Sequence, residues 1–323
     1  MWKVHYLDAS SIKEAVSLLK EDKTEILAGG TDLLTELKAN CSPNSAEKVV
    51  DIKKIPGLVY IKEDKDVVRI GSLTTLIDIE NSAIINDKFP ALAEAAAKVG
   101  SPQLRNRGTI AGNICQKVRC WFYRAPDNDF PCLRKDPDGI CDAVAGDNRY
   151  NSIFSHMNRC FAVNPSDLAP ALNVYSAEIV TDRQTINIDD FFTVNGEKTT
   201  VLADNEMIKE IRLPILKENA TSNFIKFAVR DSFDFPVVNC AVLIEPEQEV
   251  IKRAKICLNA VYNIPYQPKE AEEYLIGKEK PLTEEIIQEV CELALKDAKP
   301  LKYNGYKVDL AKNILKRSLL ACN

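Results

Sequence analysis

A long irregular segment in the middle of the chain limits its possible folds more than any other feature. Five of the ten cysteines lie between Cys115 and Cys160, and proline, aspartate and asparagine are concentrated in the same stretch, mainly over residues 126–139. These residue types favour turns over helices and strands. We therefore predict a cysteine-rich loop, and the regular elements must come from the sequence on either side of it.

Before the loop, short strand-like and helix-like patterns alternate. A helix capped by Ser10 or Ser11 precedes a strand over 25–28, and the two β-like runs of residues 58–70 form a predicted hairpin. An alanine-rich helix is predicted over 91–99. After the loop, the patterns predict a helix over 170–173 and strands over 177–180, 185–188 and 209–214.

A polar stretch at residues 217–222 marks a predicted domain boundary. We assign residues 1–216 to a first α+β domain, with the cysteine segment as an insertion at about 115–160. Residues 217–323 form a second α+β domain. Its pattern predicts three strands followed by three helices, over 224–229, 237–244, 254–261, 270–275, 284–296 and 308–320.

The composition of the chain excludes several classes of function. Apolar residues make up 46% and charged residues 28% of the chain, which is typical of a folded globular protein. The formal charge of −5 provides no basic field, so neither nucleic acid nor an anionic membrane is an expected partner. No signal peptide or apolar span of ~18 residues is present, so we expect a cytoplasmic protein. In a reducing compartment, clustered cysteines more often bind metal or perform redox chemistry than form disulfides.

Three turns rich in glycine and hydroxyl side chains lie before the loop: AGGTDLL (28–34), IGSLTTL (70–76) and GTIAGNI (108–114). They contain five of the twelve glycines. Such turns suit a diphosphate, because glycine lets backbone N–H groups approach an anion closely. Ordinary turn chemistry is the alternative. Neither a G-x-G-x-x-G nor a G-x-x-x-x-G-K-[ST] motif is present, which argues against Rossmann and P-loop nucleotide binding. After the loop, Ser166 and Asp167 are candidate helix caps.

Taken in order, AGGTDLL, IGSLTTL, GTIAGNI and NPSDLAPAL resemble the FAD-binding subunits of the molybdenum hydroxylase family, which includes xanthine dehydrogenase and carbon monoxide dehydrogenase. The resemblance covers nearly the whole chain. It implies an α+β fold: a FAD-binding domain of the PCMH type, like that of vanillyl-alcohol oxidase, then a C-terminal domain of a three-stranded sheet and helices, like that of the CO dehydrogenase flavoprotein. The FAD-binding positions that it implies are Leu27, Ala28, Gly29, Gly30, Thr31, Asp32, Leu33, Ser72, Thr74, Thr75, Thr109, Gly112, Asn113 and Asp167.

The cysteine segment departs from most of that family and resembles an insertion in the FAD subunit of 4-hydroxybenzoyl-CoA reductase, where it carries a [4Fe-4S] cluster. The implied ligands are Cys120, Cys132, Cys141 and Cys160. Their spacing is not that of a ferredoxin, and four thiolates hold a structural zinc ion equally well. Cys115 is left as a surplus thiol, and the other five cysteines are expected to be small buried hydrophobic residues. His156 is expected to be solvated.

The resemblance implies an oxidoreductase subunit without catalytic residues of its own. It would pass electrons between a ferredoxin-like carrier, FAD and a [2Fe-2S] small subunit, in a complex whose large subunit binds molybdopterin. Reduction of 4-hydroxybenzoyl-CoA to benzoyl-CoA is the nearest reaction. One alternative is a xanthine-dehydrogenase-like or other aromatic or N-heterocycle hydroxylase. Another, of a different class, is a flavin and iron-sulfur sensor, or a zinc-stabilised flavin protein, without turnover.

Overall fold

The computed structural model describes residues 4–130, 132–230 and 232–323. The strands within these ranges are β1 (His5–Asp8), β2 (Thr24–Leu27), β3 (Lys48–Asp51), β4 (Ile61–Asp64), β5 (Val67–Gly71), β6 (Glu178–Thr181), β7 (Thr185–Asn187), β8 (Phe192–Asn195), β9 (Lys198–Thr200), β10 (Ile208–Pro214), β11 (Thr221–Phe227), β12 (Val238–Glu247) and β13 (Val250–Asn259). The α-helices are α1 (Ile12–Leu18), α2 (Leu33–Ala39), α3 (Leu76–Glu80), α4 (Ala83–Lys88), α5 (Pro90–Ala97), α6 (Pro102–Arg105), α7 (Ile110–Ile114), α8 (Leu168–Val174), α9 (Ile188–Phe191), α10 (Lys269–Leu275), α11 (Glu284–Leu295) and α12 (Tyr306–Ala321).

The first sheet is parallel, with the strand order β1-β3-β2. The predicted cap of α1 is confirmed, because Ser11 Oγ accepts a hydrogen bond from the backbone N–H of Glu14 at 3.2 Å. Ala15 of α1 and Val50 of β3 are fully buried in the small core between this helix and the sheet. The sheet places the end of β2, and the glycine turn that follows it, at the start of α2.

The second sheet is antiparallel, with the order β4-β5-β10-β6-β7. The predicted hairpin is confirmed, but its first strand begins at Ile61. Residues 58–60 continue the pairing in the same register: Tyr60 O accepts from Gly71 N at 2.9 Å, and Leu58 O accepts from Leu73 N at 2.8 Å. The regular ladder starts at Ile61 because Tyr60 N donates to the side-chain Oγ1 of Thr74 at 3.2 Å and not to a backbone carbonyl of β5.

The C-terminal sheet, β11-β12-β13, lies between two layers of helices. α5 and α8 pack on one face, and α10 and α12 pack on the other. In β12, Ala241 and Leu243 belong to the core shared with the N-terminal part, whereas Cys240, Val242 and Ile244 belong to the C-terminal core. This alternation follows from the two-residue period of a strand, and it makes the central strand apolar on both faces. The three predicted strands and three predicted helices of this part are confirmed, with shifts at their ends.

The cysteine segment is irregular, as predicted. In its described residues it contains two 3₁₀ turns, Pro126–Asn128 and Asp142–Val144, and isolated bridges such as that between Cys132 and Ile140. Its small core includes Tyr123, Cys132 and Cys160. The five scattered cysteines, Cys41, Cys240, Cys257, Cys291 and Cys322, are buried, which confirms their predicted place in the core.

Among the helices of the described residues, none is long and apolar enough to cross a lipid bilayer.

Candidate functional site

A large cavity of about 1170 Å³ lies where the N-terminal and C-terminal parts meet. Its walls come from the AGGTDLL and GTIAGNI turns, residues 197–206, the start of α8 and the connection between β11 and β12. Pockets for small ligands usually measure about 300–1,000 Å³, so this cavity has room for a ligand of dinucleotide size.

The AGGTDLL turn offers unused backbone donors to the cavity. It leads from β2 into α2, and Gly30 has a φ of +76°, a conformation that costs other residues about 1–3 kcal/mol. Within the described residues, the backbone N–H groups of Gly29, Gly30 and Thr31 donate to no protein acceptor. Adjacent free N–H groups before a helix form an anion-binding concavity.

The two glycine turns are in direct backbone contact. A Cβ atom on Gly29 would lie 2.1 Å from the carbonyl oxygen of Arg107, and 3.1 Å from the Cα of Gly108. Only glycine permits this approach, so Gly29 fixes the position of one turn against the other. The backbone of the first turn can therefore lie beside the Thr109 cap of the second.

Most amides of the GTIAGNI turn donate to acceptors within the protein. Thr109 caps α7, and its Oγ1 accepts from Gly112 N at 3.2 Å. The backbone N–H groups of Ile110 and Ala111 donate to the carbonyls of Thr74 and Ser72 in the IGSLTTL turn. One group that remains for a ligand here is the side chain of Asn113: its Oδ1 accepts from Ser166 Oγ at 2.6 Å, and its Nδ2 has no acceptor in the described part of the chain.

The structure brings most of the predicted cofactor positions to this cavity, but not all of them. The lining residues are Ala28, Gly29, Gly30, Thr31, Asp32, Leu33, Thr109, Gly112, Asn113 and Asp167. Leu27, Ser72, Thr74 and Thr75 do not line it. Thr74 Oγ1 donates to Tyr60 O at 2.9 Å, and Thr75 caps α3 through Asp78, so both hydroxyls are used within the protein. The IGSLTTL turn supports the GTIAGNI turn from behind, and direct flavin contact by its hydroxyls stays a prediction.

Asp32 joins the first turn to the cysteine segment. Its carboxylate accepts from Arg119 at 2.5 Å, from Arg124 at 3.0 Å and from the backbone N–H of Lys117 at 3.0 Å. Burial alone would raise the pKa of Asp32, but the charges of Arg124 and Arg119 outweigh it and lower that pKa. Asp32 therefore holds residues 117–124 against the start of α2.

Asp167 joins the start of α8 to the C-terminal sheet. Its carboxylate accepts from Lys226 Nζ of β11 and from Asn239 Nδ2 of β12, both at 2.7 Å. Burial raises the pKa of Asp167, and the ammonium of Lys226 opposes that rise. Of the two predicted caps, Ser166 is confirmed, because its Oγ accepts from Ala169 N at 3.0 Å. Asp167 itself makes no side-chain capping bond.

The thiols of Cys120, Cys132, Cys141 and Cys160 lie near one another. The Cys120 and Cys160 thiols each interact electrostatically with those of Cys132 and Cys141. The backbone N–H of Ala162 donates to Cys160 Sγ at 3.4 Å. Burial raises the pKa of Cys120, Cys132 and Cys141, and backbone N–H groups nearby, among them those of Tyr123, Arg134 and Phe161, oppose that rise. N–H···S bonds of this kind stabilise thiolate ligands.

No three His, Cys, Asp or Glu side chains of the described residues are grouped closely enough to bind a single metal ion. Cys115 stands apart from the four thiols: it lines the cavity, and burial raises its pKa to about 12.

Comparison with known proteins assigns the family. Residues 2–216 match the family model described as the FAD binding domain in molybdopterin dehydrogenase, and residues 223–322 match the CO dehydrogenase flavoprotein C-terminal domain. The chain is a FAD-binding medium subunit of the molybdenum hydroxylase family. The fold expected from the resemblance is thereby confirmed, as is the expectation of an oxidoreductase subunit.

Relatives of the medium subunit align along nearly its whole length. The carbon monoxide dehydrogenase medium chain of Hydrogenophaga pseudoflava is 28% identical, over 99% of this chain and 96% of its own. The aldehyde oxidoreductase FAD-binding subunit PaoB of Escherichia coli is also 28% identical, over 93% of this chain and 92% of its own. The solved H. pseudoflava carbon monoxide dehydrogenase has a TM-score of 0.78 at 26% identity, covering 99% of this chain and 97% of that one.

Sequence reasoning missed several cavity residues of the medium subunit. Phe233, Phe235 and Lys226 come from the C-terminal part, and the guanidinium of Arg119 lies 4.0 Å from the ring centre of Phe235. No local signal marks these three, because only the tertiary fold brings them to the cavity. A signal for three other residues was present in the sequence, since the cations Lys117, Arg119 and Arg124 lie close around Cys120 with no acidic residue between them.

Proposed function

We propose that this medium subunit binds FAD in the cavity and a [4Fe-4S] cluster at the cysteine segment, and that it transfers electrons within a heteromeric molybdenum hydroxylase. Residues 1–216 would form the FAD-binding domain, and residues 217–323 would close the cavity from the other side. FAD exchanges electrons in pairs or singly, which suits a subunit placed between different redox partners. The chain itself supplies binding and orientation.

The free N–H groups of Gly29, Gly30 and Thr31 carry the FAD proposal. They face a cavity of dinucleotide size, and a diphosphate is the part of FAD that adjacent backbone donors recognise. Thr109 and Asn113 lie on the neighbouring turn, which Gly29 holds in contact with the first. These residues fit the diphosphate of FAD. Their N–H donors are unpaired, and the phosphates can approach the backbone closely because two glycines are present.

The closeness of the four thiols and the N–H groups around them support the cluster proposal. Cys120, Cys132, Cys141 and Cys160 would be its ligands: Cys160 Sγ accepts from Ala162 N, and backbone N–H groups near the other three thiols oppose the rise in pKa that burial causes, so they would stabilise bound thiolates. Without metal, burial raises the pKa of Cys132 to about 11, a cost that a bound metal would offset. The segment's resemblance to that of 4-hydroxybenzoyl-CoA reductase selects iron over zinc.

We propose that the partners are a molybdopterin-binding large subunit, a [2Fe-2S] small subunit and a ferredoxin-like carrier, and that the complex is cytoplasmic. The H. pseudoflava relative is named as one chain of a carbon monoxide dehydrogenase, and other relatives are named for nicotinate dehydrogenase and xanthine dehydrogenase, so substrates vary widely within the family. Because of the cysteine segment, 4-hydroxybenzoyl-CoA is the first substrate to test. An N-heterocycle hydroxylase is the alternative.

Co-purification of the untagged complex with metal and flavin analysis tests the proposal. We expect one FAD, about four iron and about four sulfide per medium subunit beyond the iron of the partner, together with molybdenum in the complex. Zinc without acid-labile sulfide would overturn the cluster assignment and leave a structural metal clip. A medium subunit that purifies alone, with flavin but without molybdenum partners, would favour a sensor.

A further inference from the structure

Asn151 is a buried amide at the end of the cysteine segment, and its side chain contacts a proposed cluster ligand. Its Nδ2 donates to Cys120 Sγ at 3.7 Å and to the carbonyl oxygen of Phe161 at 3.1 Å. A carbonyl oxygen can only accept, so the contact with Phe161 identifies the atom as the amide nitrogen. The atom that contacts the sulfur is therefore an N–H donor.

The C-terminal part of the chain holds Asn151 in place. The backbone carbonyl oxygen of Asn151 accepts from Lys307 Nζ at 3.0 Å and from Asn304 Nδ2 at 3.1 Å. Lys307 is fully buried on α12 and also donates to the carbonyls of Tyr150 and Ala260, at 3.2 and 2.6 Å. Asn304 donates in addition to Ser152 O at 2.9 Å. Side chains at and just before α12 thus fix the backbone on both sides of Asn151.

We propose that Asn151 is a positioning residue that raises the reduction potential of the cluster through its N–H···S bond to Cys120, and that Lys307 and Asn304 hold it there. The inference rests on the proposed cluster. Reduction adds negative charge to the iron-sulfur unit and its thiolates, and an N–H dipole aimed at a thiolate stabilises that charge. The C-terminal part, which contributes no ligand, would in this way tune a site in the N-terminal part.

Asn263 provides a matched control. It is also a buried asparagine that binds the cysteine segment, because its Nδ2 donates to the carbonyls of Cys160 and Ala162 at 2.9 and 2.7 Å. Its amide holds backbone oxygens and bonds to no thiol sulfur in the described chain. Loss of Asn263 therefore reports on general loosening of the segment, whereas loss of Asn151 also removes a donor to sulfur.

The test compares Asn151→Leu and Asn263→Leu in the purified complex, with iron, sulfide and FAD measured first and the [4Fe-4S] potential then determined by EPR-monitored redox titration. Loss of one hydrogen bond to sulfur should lower the equilibrium constant for cluster reduction about tenfold in Asn151→Leu, or about 59 mV for one electron. Asn263→Leu should shift the reduction potential much less. Asn151→Asp keeps the side-chain shape and adds a negative charge, so it should lower the potential further.

Each of the other possible outcomes contradicts either the role of Asn151 or the proposed cluster. An unchanged potential in an iron-replete Asn151→Leu complex would overturn the inference, as would equal shifts in Asn151→Leu and Asn263→Leu. If both Asn151 variants lose iron while Asn263→Leu keeps it, Asn151 retains the cluster and does not tune it. A wild-type complex without this iron refutes the proposed cluster instead, and that result is seen before any potential is measured.

Discussion

At the scale of single residues, substitution of two glycines with the same backbone conformation can distinguish an effect on ligand binding from an effect on stability. Gly30 and Gly57 have φ values of +76° and +77°, but only Gly30 lines the cavity. Valine should destabilise the fold at both positions by about 1–3 kcal/mol, because it tolerates the left-handed region poorly. Only Gly30→Val should lose FAD, since it also distorts the turn that presents the free N–H groups.

Flavin absorbance after gel filtration and the free energy of unfolding measure these two effects separately. Full FAD retention in Gly30→Val would show that the turn does not hold the diphosphate. Equal FAD loss in Gly57→Val would attribute the effect to general destabilisation.

The cysteines provide a second residue-scale prediction. Single serine substitutions at Cys120, Cys132, Cys141 or Cys160 should each remove the cluster iron and sulfide, because a cluster of this type needs all four thiolates. Cys115→Ser is the control: it lies in the same stretch of sequence but lines the cavity, and it should keep the iron. Chemical analysis of iron and sulfide checks both. Iron loss in Cys115→Ser, or retention in two of the four others, would mean that the ligand set is wrong.

Residue types alone could locate the two turns of the cavity but could not give Asp167 its partner. Ser166 and Asp167 have the residue types of helix caps, and Ser166 does cap α8. Asp167 instead pairs with Lys226 and Asn239, which lie on two strands of the following sheet. A local motif carries no information about a partner that distant strands supply, so this part of the site required the fold.

At the scale of elements, the central strand β10 depends on a buried carboxylate. Glu210 accepts from the guanidinium of Arg69 at 2.8 Å, from Arg212 at 2.7 Å and from the hydroxyl of Tyr60. Burial alone would raise the pKa of Glu210, but these hydrogen bonds outweigh it and lower the pKa to about 2. A lowered pKa contributes stability that is present above the pKa of the unfolded chain, about 4.3, and is lost as the pH falls towards 2.

We therefore expect Glu210→Gln to lower the free energy of unfolding by roughly 1–2 kcal/mol at pH 7, allowing for solvent screening. The difference from wild type should shrink as the pH falls from about 4.3 to about 2. Glu218→Gln, at an exposed position, is the control and should follow wild type throughout. Urea unfolding across this pH range gives the result. A difference independent of pH would mean that the glutamate acts through packing and not through its charge.

Element types were easier to predict than element ends. Periodicity predicted the three strands and three helices of the C-terminal part, since an amphipathic pattern has only a few ways to be buried. The start of β4 was misplaced by three residues, because Tyr60 N donates to the side chain of Thr74 and not to the backbone of β5. A hydroxyl side chain that replaces a backbone partner in this way ends a regular strand, and the residue pattern of the strand does not show it.

At the scale of the whole molecule, the charges of the cysteine segment connect the proposed cluster to the FAD cavity. Asp32 lies on the cavity wall and pairs with Arg119 and Arg124, which flank Cys120. The sequence placed both sites in one domain, but their contact through a shared carboxylate is visible only in the fold. In the proposed function, this segment would be the point where a carrier exchanges electrons with the subunit.

Two redox partners of different size, a ferredoxin and a small artificial dye, can test that role. If the cluster is the access point for a low-potential carrier, Cys132→Ser should impair ferredoxin-linked turnover of the complex by at least about tenfold. Turnover with an artificial dye that reaches the flavin directly should be largely spared. Both assays are run under strict exclusion of oxygen, on a complex whose FAD and molybdenum contents are normal.

The pattern of losses distinguishes a redox role from a structural one. Equal losses in both assays would mean that the cluster holds the segment in place, since without metal the buried thiols would disrupt the contacts of Arg119 and Arg124 with Asp32 beside the cavity. In that case FAD should also dissociate more readily from Cys132→Ser. Unchanged ferredoxin-linked turnover would refute the access role, because electrons would then reach the flavin without the cluster.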